Sequence, residues 1–422
     1  MKLRLAIALL LVGTSAGLAQ ETAATRPVTD EIGELKQRLA QLEAAQGEQA
    51  RREEIIKVLK ELHADADRRS NPEWLENLKF AGDLRLRYQN DCYNFEDRDR
   101  NRMRFRLRFG FVKTWPNEDL EVGFRLASGA DNDPTSTNQT FGDFFGEKSI
   151  GIDRAYAMWT PKQVKGLMLE GGKMANPFVS TDLIWDSDVS PEGVFGSYKL
   201  TQLGNIEPFV GAGFFMIRDA DTLANDNEYV NLAGYQVGNT WKFNKTTNWT
   251  IAGAYYDYHE TQQPYGHFRA GGNDNETIGG QNFLATGFRT INILNKVKFE
   301  AFKLPFEVFG DYVHNCDDND ANPGFTDQAD GFAAGVTVGK NKKKGDWSLR
   351  YKYAHIEANA TPGQFNDADF GFSNRKGHAI GGAYNLTDYL QAGVTVYYTQ
   401  PIAGPSVGNT TLITQADLVF QF

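Results

Sequence analysis

The stretch RNRMRFRLRFGF sets Arg102, Arg104, Arg106 and Arg108 at every second position, with Met103, Phe105, Leu107 and Phe109 between them. Arg85 and Arg87 in KFAGDLRLRYQ and Arg125 in GFRLASG extend the same basic face, as does Lys79, while Asp83 and Glu121 are the acids interspersed with them. A second group has the opposite sign: Asp182, Asp186, Asp188 and Glu192, with Trp185 among them. Opposed charges across a water-filled gap make a transverse field that orients water and favours small polar solutes. The alternative is that the arginines pair with neighbouring groups and serve only to hold the wall open.

Covalent chemistry has little support. Of the six histidines (His63, His259, His267, His314, His355, His378), none stands in an HExxH spacing, and no nucleophile motif accompanies His259. Asp318, Asp320 and Asn322 have the spacing of a calcium loop, but Pro323 stands where the tight-turn glycine belongs and the distal Glu is missing. No enzyme activity, cofactor or metal is therefore expected. A net charge of −10 argues against a nucleic-acid binder.

The elements that must carry these residues have a period of two. In KFAGDLRLRYQ, Phe80, Leu84, Leu86 and Tyr88 share one face and Asp83, Arg85, Arg87 and Gln89 the other. DWSLRYKY and YLQAGVTVYYTQ alternate in the same way, which is the pattern of strands with one apolar and one polar face. About sixteen such segments start near residues 78, 101, 118, 150, 166, 192, 205, 229, 248, 287, 305, 330, 346, 376, 389 and 411. Their length suits a tilted strand that crosses a bilayer, and their number is even. Connections alternate short (PNED, NKTT, KLP) and long (NCDDNDANPGFTDQA), as in barrels with short periplasmic turns and long external loops. Trp115, Trp159, Trp241, Trp249 and Trp347 all fall beside short turns, where an aromatic girdle meets the headgroups. On this reading the arginines face water inside a barrel and the phenylalanines face lipid outside. An Arg on the lipid face near the midplane costs about 2–4 kcal/mol, so four there would not be tolerated.

The N-terminus differs. Residues 1–19 combine Lys2 and Arg4, an apolar run from Leu5 to Val12 and small residues before Ala19, the features of a cleaved secretory leader. Its removal takes the charge from −10 to −12, since it carries two cations and no acid. Residues 29–70 contain no aromatic; Ile32, Leu35, Leu39 and Leu42 follow a heptad, and Ile55, Leu59 and Leu62 resume it in a shifted phase. A short periplasmic coiled coil that joins subunits and a lone amphipathic helix are both compatible with this. A barrel follows over 78–422. Pairing of Cys92 with Cys316 is left open.

At GDLRLRY, RNRMRFRLRFG, GFRLASG, DPTSTNQT, DRAYAMWTP, GGKMANPF and LIWDSDVSPEG the sequence resembles the putative porin family of Gram-negative outer membranes, closely over residues 80 to 195 and by strand rhythm beyond. The resemblance implies an all-β, sixteen-stranded antiparallel barrel with an N-terminal helical segment. More distantly it resembles trimeric porins whose loop after the fifth strand narrows the channel; by position that loop is Ala175 to Pro191. The resemblance also makes the aromatic end ADLVFQF, with Phe420 and Phe422, a signal to the barrel assembly machinery. The function expected is a water-filled outer-membrane channel for passive diffusion of small polar solutes and ions, with a homotrimer surrounded by outer-membrane lipids. A solute-selective, anion-preferring channel and a structural or adhesive barrel are the alternatives.

Overall fold

The structure, a computed structural model, describes residues 33–40, 53, 55–58, 60, 75–95, 99–130, 133–200, 204–219, 229–262, 270–317 and 327–422. The chain divides into two units, Met1–Glu76 and Asn77–Phe422. In the first, residues 33–40 and 55–58 are helical, and Leu35 and Leu39 are less exposed than the residues around them. The leader, most of the 29–70 segment and the Asp318–Asn322 loop lie outside the described residues.

The second unit is one closed antiparallel sheet of sixteen long strands. They are β1 (Leu78–Tyr93), β2 (Arg100–Trp115), β3 (Leu120–Ser128), β4 (Ile150–Trp159), β5 (Leu167–Lys173), β6 (Glu192–Lys199), β7 (Ile206–Arg218) and β8 (Val230–Lys242). Then come β9 (Asn248–His259), β10 (Phe288–Ala301), β11 (Leu304–Asn315), β12 (Asp330–Gly339), β13 (Trp347–Ile356), β14 (Arg375–Asn385), β15 (Leu390–Pro401) and β16 (Thr411–Gln421). Each strand pairs with its sequence neighbours, and β16 closes on β1 with Leu86 opposite Leu418 and Arg87 opposite Asp417. Backbone bonds between Gly82 and Phe422, at 2.8 and 3.0 Å, fasten the end of that seam. Closure leaves no free edge, which is what a strand-built structure needs where water cannot satisfy its backbone.

Burial is inverted relative to a water-soluble protein. Val194, Val210, Tyr235, Val237, Ile291, Leu349, Ile380 and Val394 are exposed, whereas Gln89, Asp91, Asn292, Asp311 and Gln415 are buried. Ile291 and Asn292 are neighbours on one strand, one exposed and the other buried, and Tyr88 and Gln89 of β1 divide in the same way, so apolar groups point out and polar groups in. No helix among the described residues is long and apolar enough to cross a membrane. Trp115, Trp159 and Trp347 are exposed at strand ends beside short turns, and Trp241 stacks on Trp249 with centroids 4.8 Å apart. Cys92, in β1, and Cys316, after β11, are unpaired thiols.

Two departures from simple up-and-down pairing position the interior. Between β3 and β4 the register slips, leaving Asp153 as an extra residue between the Arg125–Arg154 and Leu126–Ile152 pairs. Such a bulge re-aims side chains, and Asp153 turns inward to meet Arg125. The loop after β3 also contributes a two-residue strand, Gln139–Thr140, which pairs with Phe105 and Arg104 of β2 beyond the end of β3.

Candidate functional site

The arginines of β1 and β2 lie in register on one inner wall: Arg85 opposite Arg106, Arg87 opposite Arg104 and Asp83 opposite Arg108. Like charges opposed across strands repel, and carboxylates answer several of them. Arg87, only 6 % exposed, donates from Nε and Nη2 to Asp417 at 2.7 and 2.9 Å and from Nη1 to Asp369 at 3.1 Å. Asp83 accepts from Arg106 and Arg108, each at 2.7 Å, Asp91 from Arg102 at 2.6 Å, and Asp153 from Arg125. All seven arginines singled out in the sequence thus belong to this wall. Asp91, Asp153, Asp369 and Asp417 are acids that the sequence reading passed over.

The segment after β5 turns into the barrel. Met174, Phe178, Leu183, Ile184, Trp185 and Val189 are buried in one apolar cluster. The cluster takes most of its other members from the inward faces of β6 to β15, among them Phe195, Phe215, Leu232, Tyr256, Phe288, Ile356 and Tyr397. Phe178 packs edge-on against Phe195, Phe215 and Tyr256. Room for it comes from Gly234, where a Cβ would stand 2.6 Å from the Phe178 ring. Gln236 holds the backbone of Val179 by two bonds of 2.9 Å, and Trp185 Nε1 donates to the Tyr258 hydroxyl at 3.0 Å.

A second inward segment, the loop between β13 and β14, was not singled out from the sequence. Asn359, Ala360, Thr361, Asn366, Phe370 and Ser373 are almost fully buried. It locks onto the first: Asp186 N donates to Phe365 O at 2.7 Å and Asn366 Nδ2 to Leu183 O at 2.7 Å. Lys352 on β13 donates to Asp182 of one loop at 2.6 Å and Asp367 of the other at 3.1 Å. Asn273 ties the second loop to the one before β10 through Ala358 O, Thr361 O and Gly363 N.

The acidic residues of the first loop therefore do not form a single face opposite the arginines, contrary to the sequence expectation. Asp188 does reach the wall, 3.5 Å from Arg108, and also accepts from Thr137 Oγ1 at 3.1 Å. Asp182 turns to Lys352 instead, and Trp185 is sealed in the apolar cluster. Glu192 is not in the loop: it opens β6, where it is exposed and pairs with Lys173 at 2.7 Å. Residues that alternate along a strand keep their phase, whereas loop acids go wherever their backbone is pinned.

Asp186 is half-buried, and desolvation, reinforced by the Asp367 carboxylate, holds it well above the usual carboxylate range despite a bond from Asp188 N. Burial would also raise Asp369, but Arg87, Arg85 and Arg104 outweigh it and keep that group below the usual range. A raised carboxyl stabilises the folded form below its unfolded value of about 4 and progressively less as pH rises above it. Asp186→Asn should therefore flatten the fall in thermal stability from about pH 4 upward, read by melting the detergent-solubilised protein in stepped buffers; an unchanged slope would show that Asp186 does not carry that proton.

The apolar cluster occupies the side of the interior bounded by β6–β15, and the charged wall spans β16 and β1–β4. Beside the wall a cavity of about 600 Å³ is lined in part by Ser128, Ser136, Asp153, Asp188 and Phe365. Among the described residues no cluster of His, Cys, Asp and Glu has metal-binding geometry.

Residues 93–270 and 269–422 match a family model described as "Putative porin". Among solved structures, OprB of Pseudomonas putida, in a high-pH structure, superposes with a TM-score of 0.54 at 11 % identity, covering 82 % of this chain and 94 % of that one. OmpT of Vibrio cholerae lacking loop L8 gives 0.46 at 12 %, covering 82 % and 99 %. A double mutant of the porin of Rh. blastica gives 0.45 at 12 %, covering 82 % and 100 %. The OprB likeness bears on the fold alone. No curated protein matches the sequence.

Proposed function

The chain belongs to the putative porin family, and we infer from that premise that it is an outer-membrane porin, a water-filled channel through which small polar solutes and ions diffuse passively. The observation that carries the route is the asymmetry of the interior. The two inward loops pack on the apolar inner faces of β6–β15, which leaves the arginine wall of β1–β3 as the hydrated side. Solutes then pass between Arg85, Arg87, Arg102, Arg104, Arg106, Arg108 and Arg125 and a rim that includes Asp188. The field there is set by charged rings and pairs at short range. Planar-bilayer conductance with a reversal potential in a salt gradient tests this reading. Arg108→Ala, which leaves Arg106 to hold Asp83 but strips Asp188 of its cation, should lower the anion-to-cation permeability ratio. An unaltered ratio and conductance would take the wall out of the pathway.

The exposed tryptophans at the short-turn end serve as an interfacial girdle, supported by their shared position and by the amphipathic character of indole. That end is periplasmic, where residues 29–70 lie, and Phe420 and Phe422 at the last strand address the assembly machinery. The assembly is a homotrimer to which residues 29–70 contribute. Deleting them should lower the mass of the detergent-solubilised complex, and a trimer that persists would mean that the barrel wall suffices.

A further inference from the structure

We propose that Arg85 and Arg104, together with the Ser136–Asn138 turn, form a binding site for small dianionic oxyanions on the inner wall. The proposal rests on the channel reading above and names the solute class that the wall retains.

The first observation is a local excess of cation. Arg87, Arg102, Arg106 and Arg108 each have a carboxylate partner. Arg85 and Arg104 have none among the described residues, and they sit diagonally across the β1–β2 ladder, opposite Arg106 and Arg87. Diagonal positions bring long side chains within reach of one another. Asp369, a loop acid that reaches this wall, is already committed to Arg87 at 3.1 Å.

The second observation is a shortage of acceptors at the same spot. Arg85 Nη2 donates to Asn138 Oδ1 at 2.7 Å, and Arg104 to Gln89 Oε1 at 3.1 Å and Ser136 Oγ at 3.4 Å, all neutral oxygens. Ser136 Oγ is also approached by Asn138 N at 3.4 Å and Asn138 Nδ2 at 3.3 Å, so three donors share one hydroxyl at long range. Arg85 Nε and Arg104 Nε are buried with no hydrogen-bond partner. Buried donors without acceptors carry a desolvation cost that a ligand can remove.

An oxyanion answers both conditions. Guanidinium forks present paired N–H groups that match two oxygens of a sulfate, phosphate or carboxylate by parallel bonds, a geometry that a monatomic halide does not offer. Two such forks with no carboxylate of their own in ion-pair contact suit a charge of two. The turn that completes the site is held in place by Gln139–Thr140 pairing with β2, and the 600 Å³ cavity beside Ser136 provides access.

Sulfate, a dianion at any neutral pH, is the probe, with methanesulfonate as the monovalent control. Chloride current through the reconstituted full chain at constant ionic strength should fall along a saturating curve as sulfate is added, and methanesulfonate should lack that saturation. Arg104→Gln should weaken the block at least about tenfold, or about 1.4 kcal/mol. Asn138→Asp, a loop substitution that leaves the strands alone, should do the same by seating an internal carboxylate on Arg85. Calorimetric titration of the solubilised protein with sulfate reads the site without conduction. A conducting channel with no saturation and no binding heat, or with equal block in Asn138→Asp and wild type, overturns the site and leaves the porin reading intact. Binding heat in a protein that does not conduct upholds the site and overturns the channel.

Discussion

Lys352→Met should lose about 3–5 kcal/mol of stability and yield a channel with larger, noisier current. The ammonium bridges Asp182 and Asp367, one from each inward loop, at 2.6 and 3.1 Å. Lys352 is 14 % exposed at its side chain and Asp367 11 %. Removing one partner of a buried pair leaves the other charge uncompensated, and here two carboxylates would be left facing each other. Asp182 is 37 % exposed, so water screens it in part and the lower end of the range is the better expectation. Met keeps most of the aliphatic stem beside Phe370, above which the ammonium stands at 4.9 Å, so packing is largely retained and the loss reports the charge. Replacing both acids by Asn in the Lys352→Met background should recover most of the melting temperature. Melting in detergent and single-channel recording check both arms, and a variant with wild-type melting and current would mean that the loops hold their place without the clamp.

That clamp also shows where sequence reasoning reached its limit. The strands were legible because two solvents sort side chains with a period of two over many residues; predicted and observed starts differ by at most two residues, as for β3 at 118 and Leu120. The arginine ladder was legible for the same reason. Asp417 and Asp91 carry that signal too, since both fall on the inward parity of their strands. Asp153 breaks it, because a bulge shifts the phase by one residue. Lys352 lies in phase in DWSLRYKY, but its partners come from loops, where no period links Asp182 to Asp367. Loop placement depends on long-range bonds such as Asn366 to Leu183 O, and nothing in local composition announces them. Glu192 groups with the loop acids by sign and nearness in sequence alone, whereas a strand start near 192 already places it at the head of β6.

The assignment of outside and inside is open to a direct energetic test at Val237. This residue sits well within β8, is 61 % exposed, and lies between Val210 and Gly253 on the outer surface. In hydrocarbon an arginine there costs about 2–4 kcal/mol, whereas in water it would cost nearly nothing. Val237→Arg should therefore lose that much in reversible folding into lipid vesicles, with a lower yield of assembled barrel. The same change at Phe243, exposed in the turn after β8, should cost about 0–1 kcal/mol, because the penalty fades toward the headgroups. The depth dependence is what separates lipid from any other apolar surroundings: a protein partner covering Val237 would penalise the cation by packing and would leave no gradient along the strand. Equal costs at the two positions would therefore contradict a bilayer around β8, and with it the two-solvent sorting that puts the arginines in water.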